Sequence, residues 1–122
     1  MNYTTLVDTM LSHVPEVRPF YEKEISWYEK TPGPHIIFGD VVNPWLRDLL
    51  VSNGNAELLG RLFGLFELMA ESNDANVKEV LAFSVLESLG DDPNRLHSCW
   101  GYMGPLTRQL SDEVENWLGR KQ

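Results

Sequence analysis

Hydrophobic residues along this chain recur in steps of three and four far more often than in alternation, and that spacing predicts helices almost throughout. Leu6, Val7, Met10, Leu11 and Val14 form the first stripe, predicting a helix from Thr4 or Thr5 to His13 that Pro15 ends. A second helix is predicted from near Pro19 to about Lys30, where Thr31-Pro32-Gly33-Pro34 forbids continuation. His35-Ile36-Ile37-Phe38 is a short apolar run with turn residues on both sides, and it reads as a loop plugged into the core. Asp40 or Asn43 is then expected to cap a third helix through Leu50 and Val51, with Pro44 in its first turn.

Ser52-Asn53-Gly54-Asn55 reads as a turn with a helix cap at its end, and the longest clean helix follows from Ala56. At about 100 degrees per residue, Leu58, Leu59, Leu62, Phe63, Leu65, Phe66, Met69 and Ala70 share one stripe, with Leu68 off it. Between Ala75 and Leu89, Val77, Val80, Leu81, Phe83, Val85 and Leu86 lie nearly all round the circumference, which predicts a helix buried between neighbours. Gly90 stops it, Asp92 caps the next, and Pro93 opens that helix with Leu96, Cys99, Trp100 and Met103 pointing inward. The last helix is expected from Pro105 to Leu118, with Leu106, Leu110, Val114, Trp117 and Leu118 on one face and Ser111 as the place where it could break. The expected fold is all-α: a single all-helical domain over residues 1–122, a bundle of about six or seven helices, with HEAT-like hairpin spacing in the C-terminal two-thirds.

Composition narrows the functional classes. A chain of 122 residues, 43% hydrophobic, buries roughly two-thirds of its extended surface and needs no metal or disulfide staple. The single cysteine, Cys99, excludes an internal disulfide and any zinc site built from several thiolates. Eighteen acidic against ten basic side chains give a net charge of −8, which argues against nucleic acid and against an anionic membrane surface as partners. No run of about 18 apolar residues exists, and Asp8 stands where a secretory leader would be greasy, so a cytoplasmic location is expected.

Reactive constellations are sparse, and no catalytic residue, metal site or cofactor is expected. His13, His35 and His97 fall on separate elements without acidic residues at ligand spacing. Cys99 and His97 are two apart, which turns them away from each other on a helix, so Cys99 reads as a small core residue. Two features stand above this background. Glu24 has Phe20, Tyr21, Trp27 and Tyr28 one turn to either side, so it is either a carboxyl with a raised pKa fit for acid–base work or a simple hydrogen-bond acceptor; no second carboxylate can be assigned to it. On the long helix, Gly60, Gly64, Glu67 and Glu71 form a row opposite the apolar stripe. Two glycines inside a helix cost about 1 kcal/mol each, so something should approach that face, either another helix of this chain or a partner protein. Its acidic end, with Asp91 and Asp92, would suit a basic partner.

Phe38-Gly39-Asp40, Pro44-Trp45-Leu46, the run from Leu59 to Ala70, Val85-Leu86-Glu87-x-Leu89 and Tyr102-Met103-Gly104-Pro105-x-Thr107 resemble a family of small uncharacterised bacterial helical proteins. Those proteins in turn resemble, in size and setting, the immunity proteins paired with polymorphic and contact-dependent growth-inhibition toxins. The resemblance covers about Phe38 to Leu118 and rests on core hydrophobes and helix punctuation. It implies a non-enzymatic antitoxin that binds a cognate protein toxin, a nuclease with a basic surface, and occludes its active or substrate-binding surface. Glu67, Glu71, Asp91 and Asp92 are the acidic candidates for that contact, and Trp27, Tyr28 and Trp45, with Tyr3, the aromatic ones. The alternative is a helical scaffold or adaptor that self-associates as a homodimer through the Gly60 and Gly64 face.

Overall fold

Seven helices and short turns account for the chain in the computed structural model, which describes residues 1–52 and 54–120, and no strand occurs among them. They are α1 (3–13), α2 (15–25), α3 (34–51), α4 (Ala56–Glu71), α5 (75–89), α6 (Pro93–Trp100) and α7 (Pro105–Trp117). The all-α single-domain bundle expected from periodicity is the fold observed. α5 lies centrally, packed against α3, α4 and α7. α7 crosses both helices of the α4–α5 hairpin and closes the bundle, where a HEAT-like solenoid would stack each hairpin only on the next.

The stripe of α4 is buried as the period requires. Leu59, Leu62, Phe63, Leu65, Phe66, Met69 and Ala70 face the core and Leu68 faces solvent. Phe63 and Phe66 meet edge to face at 5.0 Å, and Tyr102 stacks on Phe63. Cys99 is a buried core residue, and loss of hydration pushes its thiol up to about 12 despite nearby Arg95.

Several expectations fail for local reasons. α2 stops at Ile25 instead of about Lys30, because Trp27 and Tyr28 donate their N–H groups only three residues back, to Glu24 and Ile25, and the Ser26 hydroxyl bonds the Lys23 carbonyl. The segment from His35 to Phe38 does enter the core through Ile37 and Phe38, but as helix. Gly33 is its extended N-cap residue, Pro34 its first residue, and the Ile37 N–H reaches the Gly33 carbonyl. Neither Asp40 nor Asn43 is a cap; both sit inside α3. Pro44 is tolerated mid-helix because residues Phe38–Val42 form a π-helical turn, in which the Asn43 N–H bonds back to the Phe38 carbonyl. A second π-helical stretch, Val80–Leu86, lies in α5 and packs against the first. There the all-round burial expected of α5 breaks at Phe83, which is 47% exposed and meets exposed Trp117 of α7 at 5.6 Å. Leu106 is likewise exposed, and α7 runs unbroken through buried Ser111.

The turn predicted over Ser52–Asn55 includes Asn53, which lies outside the described residues. Asn55 precedes α4, but its side-chain amide turns back to the Leu49 carbonyl, closing the end of α3 instead of the start of α4.

Glu67 joins α4 to α7. Its carboxylate accepts the backbone N–H groups of Leu106 and Thr107 and the Thr107 hydroxyl at 2.8–3.1 Å, a cap supplied from about 40 residues upstream in place of an N-cap side chain at Gly104. A Cβ at Gly104 would come within 2.5 Å of that carboxyl, so glycine is what lets α4 approach. Burial raises the Glu67 pKa, but the bonds from Thr107 and Leu106 outweigh it and hold the carboxyl below its ordinary value. Glu67 is therefore used within the fold, where α7 is the helix of the same chain that approaches this end of the glycine row. Glu67→Ala should lower stability by about 1–2 kcal/mol in urea at pH 7. A carboxyl depressed in the folded state stabilises above its unfolded pKa and stops doing so as pH falls below about 4.3, so Glu67→Gln should flatten part of the stability loss between neutral and acidic urea titrations.

Candidate functional site

A cleft between α2 and α3 collects the residue types that could recognise a ligand. α2 contributes Phe20, Lys23 and Glu24 at helical spacing, and Trp27 follows in the turn beyond its last residue. α3 contributes Asp40, Pro44 and Asp48 in steps of four, with Val41 and Trp45 beside them. The two helices meet at the π-helical turn of α3. The cleft encloses about 230 Å³.

Its walls are aromatic. Trp45 forms the floor, only 6% exposed, with Phe20 tilted against it at 6.5 Å. Trp27 stands out from the rim, 77% exposed. Around these rings are three carboxylates and one ammonium: Glu24, Asp40 and Asp48 against Lys23. Among the described residues, none of the three carboxylates has an ion-pair partner within 4.0 Å. The Tyr28 hydroxyl donates to Glu24 at 3.4 Å and also faces Asp40. Loss of hydration, and then those two negative neighbours, hold its phenol above the usual value.

The sequence reading placed no second carboxylate near Glu24; the fold places two. Glu24 itself is half-buried and accepts a hydrogen bond, as the plainer of the two readings of it had it. The arrangement is electronegative, part apolar and open at the Trp27 rim. Chemically it suits an organic cation, which gains from both the ring faces and the carboxylates. Among the described residues no three His, Cys, Asp or Glu side chains are arranged to hold a metal ion.

Of the seven residues singled out for partner contact, the cleft brings together Trp27 and Trp45, with Tyr28 bonded to its Glu24; Trp45 is a buried floor and Trp27 is exposed. The four acidic ones lie elsewhere. Glu67 caps α7, Asp92 accepts the Asn94 N–H to cap α6, and Asp91 pairs with Arg120 at 2.6 Å. Glu71 is exposed beside Ser72 and Asn73 at the end of α4. Tyr3 is partly buried, its hydroxyl against Gly33. On the glycine row, His13 of the same chain covers Gly64, 3.7 Å from where a Cβ would stand, while Gly60 faces open space. Asp40 and Asp48, the residues missed, share their helical stripe with Pro44, and that i, i+4, i+8 spacing was the available signal.

A larger depression of about 730 Å³ lies beside α6 and α7, floored by Leu96 and Trp100. Arg120 crosses its edge, tied to Asp91, Glu115 and the Glu87 carbonyl. Among the described residues, no helix is long and apolar enough to cross a membrane.

A family profile describing a domain of unknown function, DUF7674, matches residues 7–118. The chain belongs to the DUF7674 family. The match takes in both walls of the cleft and every helix of the bundle, so the architecture described here is that of a DUF7674 domain. No curated protein and no solved structure matches it significantly.

If the cleft walls divide as described, Trp27→Ala should change stability by less than about 0.5 kcal/mol, whereas Trp45→Ala should cost about 3–5 kcal/mol. Urea unfolding of the two variants checks the contrast.

Proposed function

We propose that this DUF7674 chain is a non-enzymatic binding protein that docks a basic partner protein over the α2–α3 cleft, and that the partner is a bacterial toxin, a nuclease, which it neutralises by covering its active or substrate-binding surface. The observation that carries the reading is Trp27, an indole 77% exposed beside three carboxylates without salt-bridge partners, on a chain of net charge −8. Exposed tryptophans ringed by charge are the kind of residue on which binding energy concentrates, and a negative surface speeds encounter with a positive one. Complexes of this type bury on the order of 1,200–2,000 Å² in total, far more than the cleft, so neighbouring parts of α2 and α3 would share the contact. The toxin identity comes from the resemblance to immunity proteins and from charge.

Acid–base catalysis by Glu24 draws less support. Its carboxyl is half-exposed at an open rim and already accepts the Tyr28 hydroxyl, whereas a general acid is normally desolvated. Self-association through Gly60 and Gly64 also draws less, since His13 of the same chain occupies the approach to Gly64.

Co-expression with the product of the adjacent open reading frame tests the proposal. Growth should stop when that product is expressed alone and resume with this protein, and Trp27→Ala combined with Asp40→Lys should weaken the rescue. Equal growth with and without the wild-type protein would reject the antitoxin reading.

A further inference from the structure

The α2–α3 cleft has a more specific chemistry than general acidity. We infer that it is a receptor for one arginine side chain of the partner; this rests on the proposal that the chain binds a basic protein. The volume is the first argument. About 230 Å³ lies below the several hundred cubic ångströms typical of small-molecule sites, so the cleft takes a side chain and not a folded segment or a large cofactor. Charge is the second. Glu24, Asp40 and Asp48 against Lys23 leave the lining two charges negative, and among the described residues none of the three carboxylates is drawn into a salt bridge.

The walls are the third argument, and they separate arginine from lysine. Phe20, Trp27 and Trp45 border the same cleft as the carboxylates. A guanidinium is planar and weakly hydrated, so it lies against an indole while its N–H fork still addresses carboxylates at the edge. An ammonium is a compact, strongly hydrated charge that gives up more water on entering an aromatic cleft and has no plane to stack. Trp27 offers such a guest an uncovered ring: it follows the last turn of α2, is 77% exposed, and has no ring contact among the described residues.

The test uses the full chain and three capped tripeptides, Gly-Arg-Gly, Gly-Lys-Gly and Gly-citrulline-Gly, followed through the four tryptophan indole N–H resonances. The arginine peptide should shift Trp27 and Trp45 saturably and leave Trp100 and Trp117, which lie outside the cleft, in place. Its midpoint should be about fivefold below that of the lysine peptide, and citrulline, which keeps the shape and lacks the charge, should not saturate. Asp40→Asn with Asp48→Asn should raise the arginine midpoint about tenfold in a protein whose Trp100 and Trp117 resonances are unmoved. No saturable shift at Trp27, an equal response to citrulline, equal or tighter lysine binding, or an unchanged midpoint in the double variant would each overturn the inference. Arginine binding without growth rescue would overturn the toxin reading alone; rescue without arginine binding would overturn this inference alone.

Discussion

The structure depends on two widened helical turns that lie against each other. At Phe38–Val42 and at Val80–Leu86 the backbone bonds slip from the fourth residue back to the fifth, an arrangement uncommon in helices and concentrated at functional sites. In α3 the cause is Pro44, which has no N–H to donate and whose ring would strike the Asp40 carbonyl in an ordinary turn. Widening the turn removes the clash and lets the helix continue to Val51. It also disturbs the carbonyl pairing, and the neighbouring helix is stitched across the gap: the buried Asn43 amide donates to the Ser84 carbonyl, and His35 Nδ1 meets the Ser84 hydroxyl at 2.8 Å. One continuous α3, with α5 locked behind it, is what presents Asp40, Pro44, Trp45 and Asp48 as a single wall.

These widened turns left a trace in the sequence. In α3, Ile37, Val41 and Trp45 are buried in steps of four, as are Phe38, Val42 and Leu46; in α5 Val77, Leu81, Val85 and Leu89 repeat that step, with Val80, Ala82 and Leu86 buried beside them. In a regular helix each step of four drifts by about 40 degrees, so a long series of them walks off the core face. A wider turn takes back part of that drift. α4 is a regular helix throughout and buries Leu59, Leu62, Phe63, Leu65, Phe66, Met69 and Ala70. Of the six apolar residues expected round α5, Val77, Val80, Leu81, Val85 and Leu86 are buried and Phe83 alone is exposed.

Helix number, fold class and the burial pattern of α4 were legible because each is a local property of period and punctuation. The cleft was not, although both of its walls were. Phe20, Lys23, Glu24 and Trp27 make one ordinary stripe and Asp40, Pro44 and Asp48 another; which stripe faces which is decided by α2 docking on the π-helical turn of α3, a contact that one-dimensional spacing does not encode. For Glu67 the spacing left open whether a helix of this chain or a partner approaches it, because the N–H groups it accepts, of Leu106 and Thr107, come about 40 residues later in the chain. Seen one helix at a time, a carboxylate that caps a distant helix and one that faces solvent are indistinguishable.

The net charge of −8 is therefore not spread as a uniform coat. Much of the acidity is spent internally: Glu16 and Glu57 clamp Arg61, Asp91 and Glu115 clamp Arg120, and Asp74, Asp92 and Glu67 close helix ends. Hydrogen bonds from Arg61, first among the causes, hold the Glu16 carboxyl down to about 2, so that pair stays charged across any ordinary pH. Among the described residues the cleft carboxylates have no such cationic partners. With Lys23 the one cation among the lining residues, they leave the cleft net negative, and Trp27 adds apolar surface that the core does not use. A cation with a flat apolar face would offset the negative lining and at the same time cover the indole left in water.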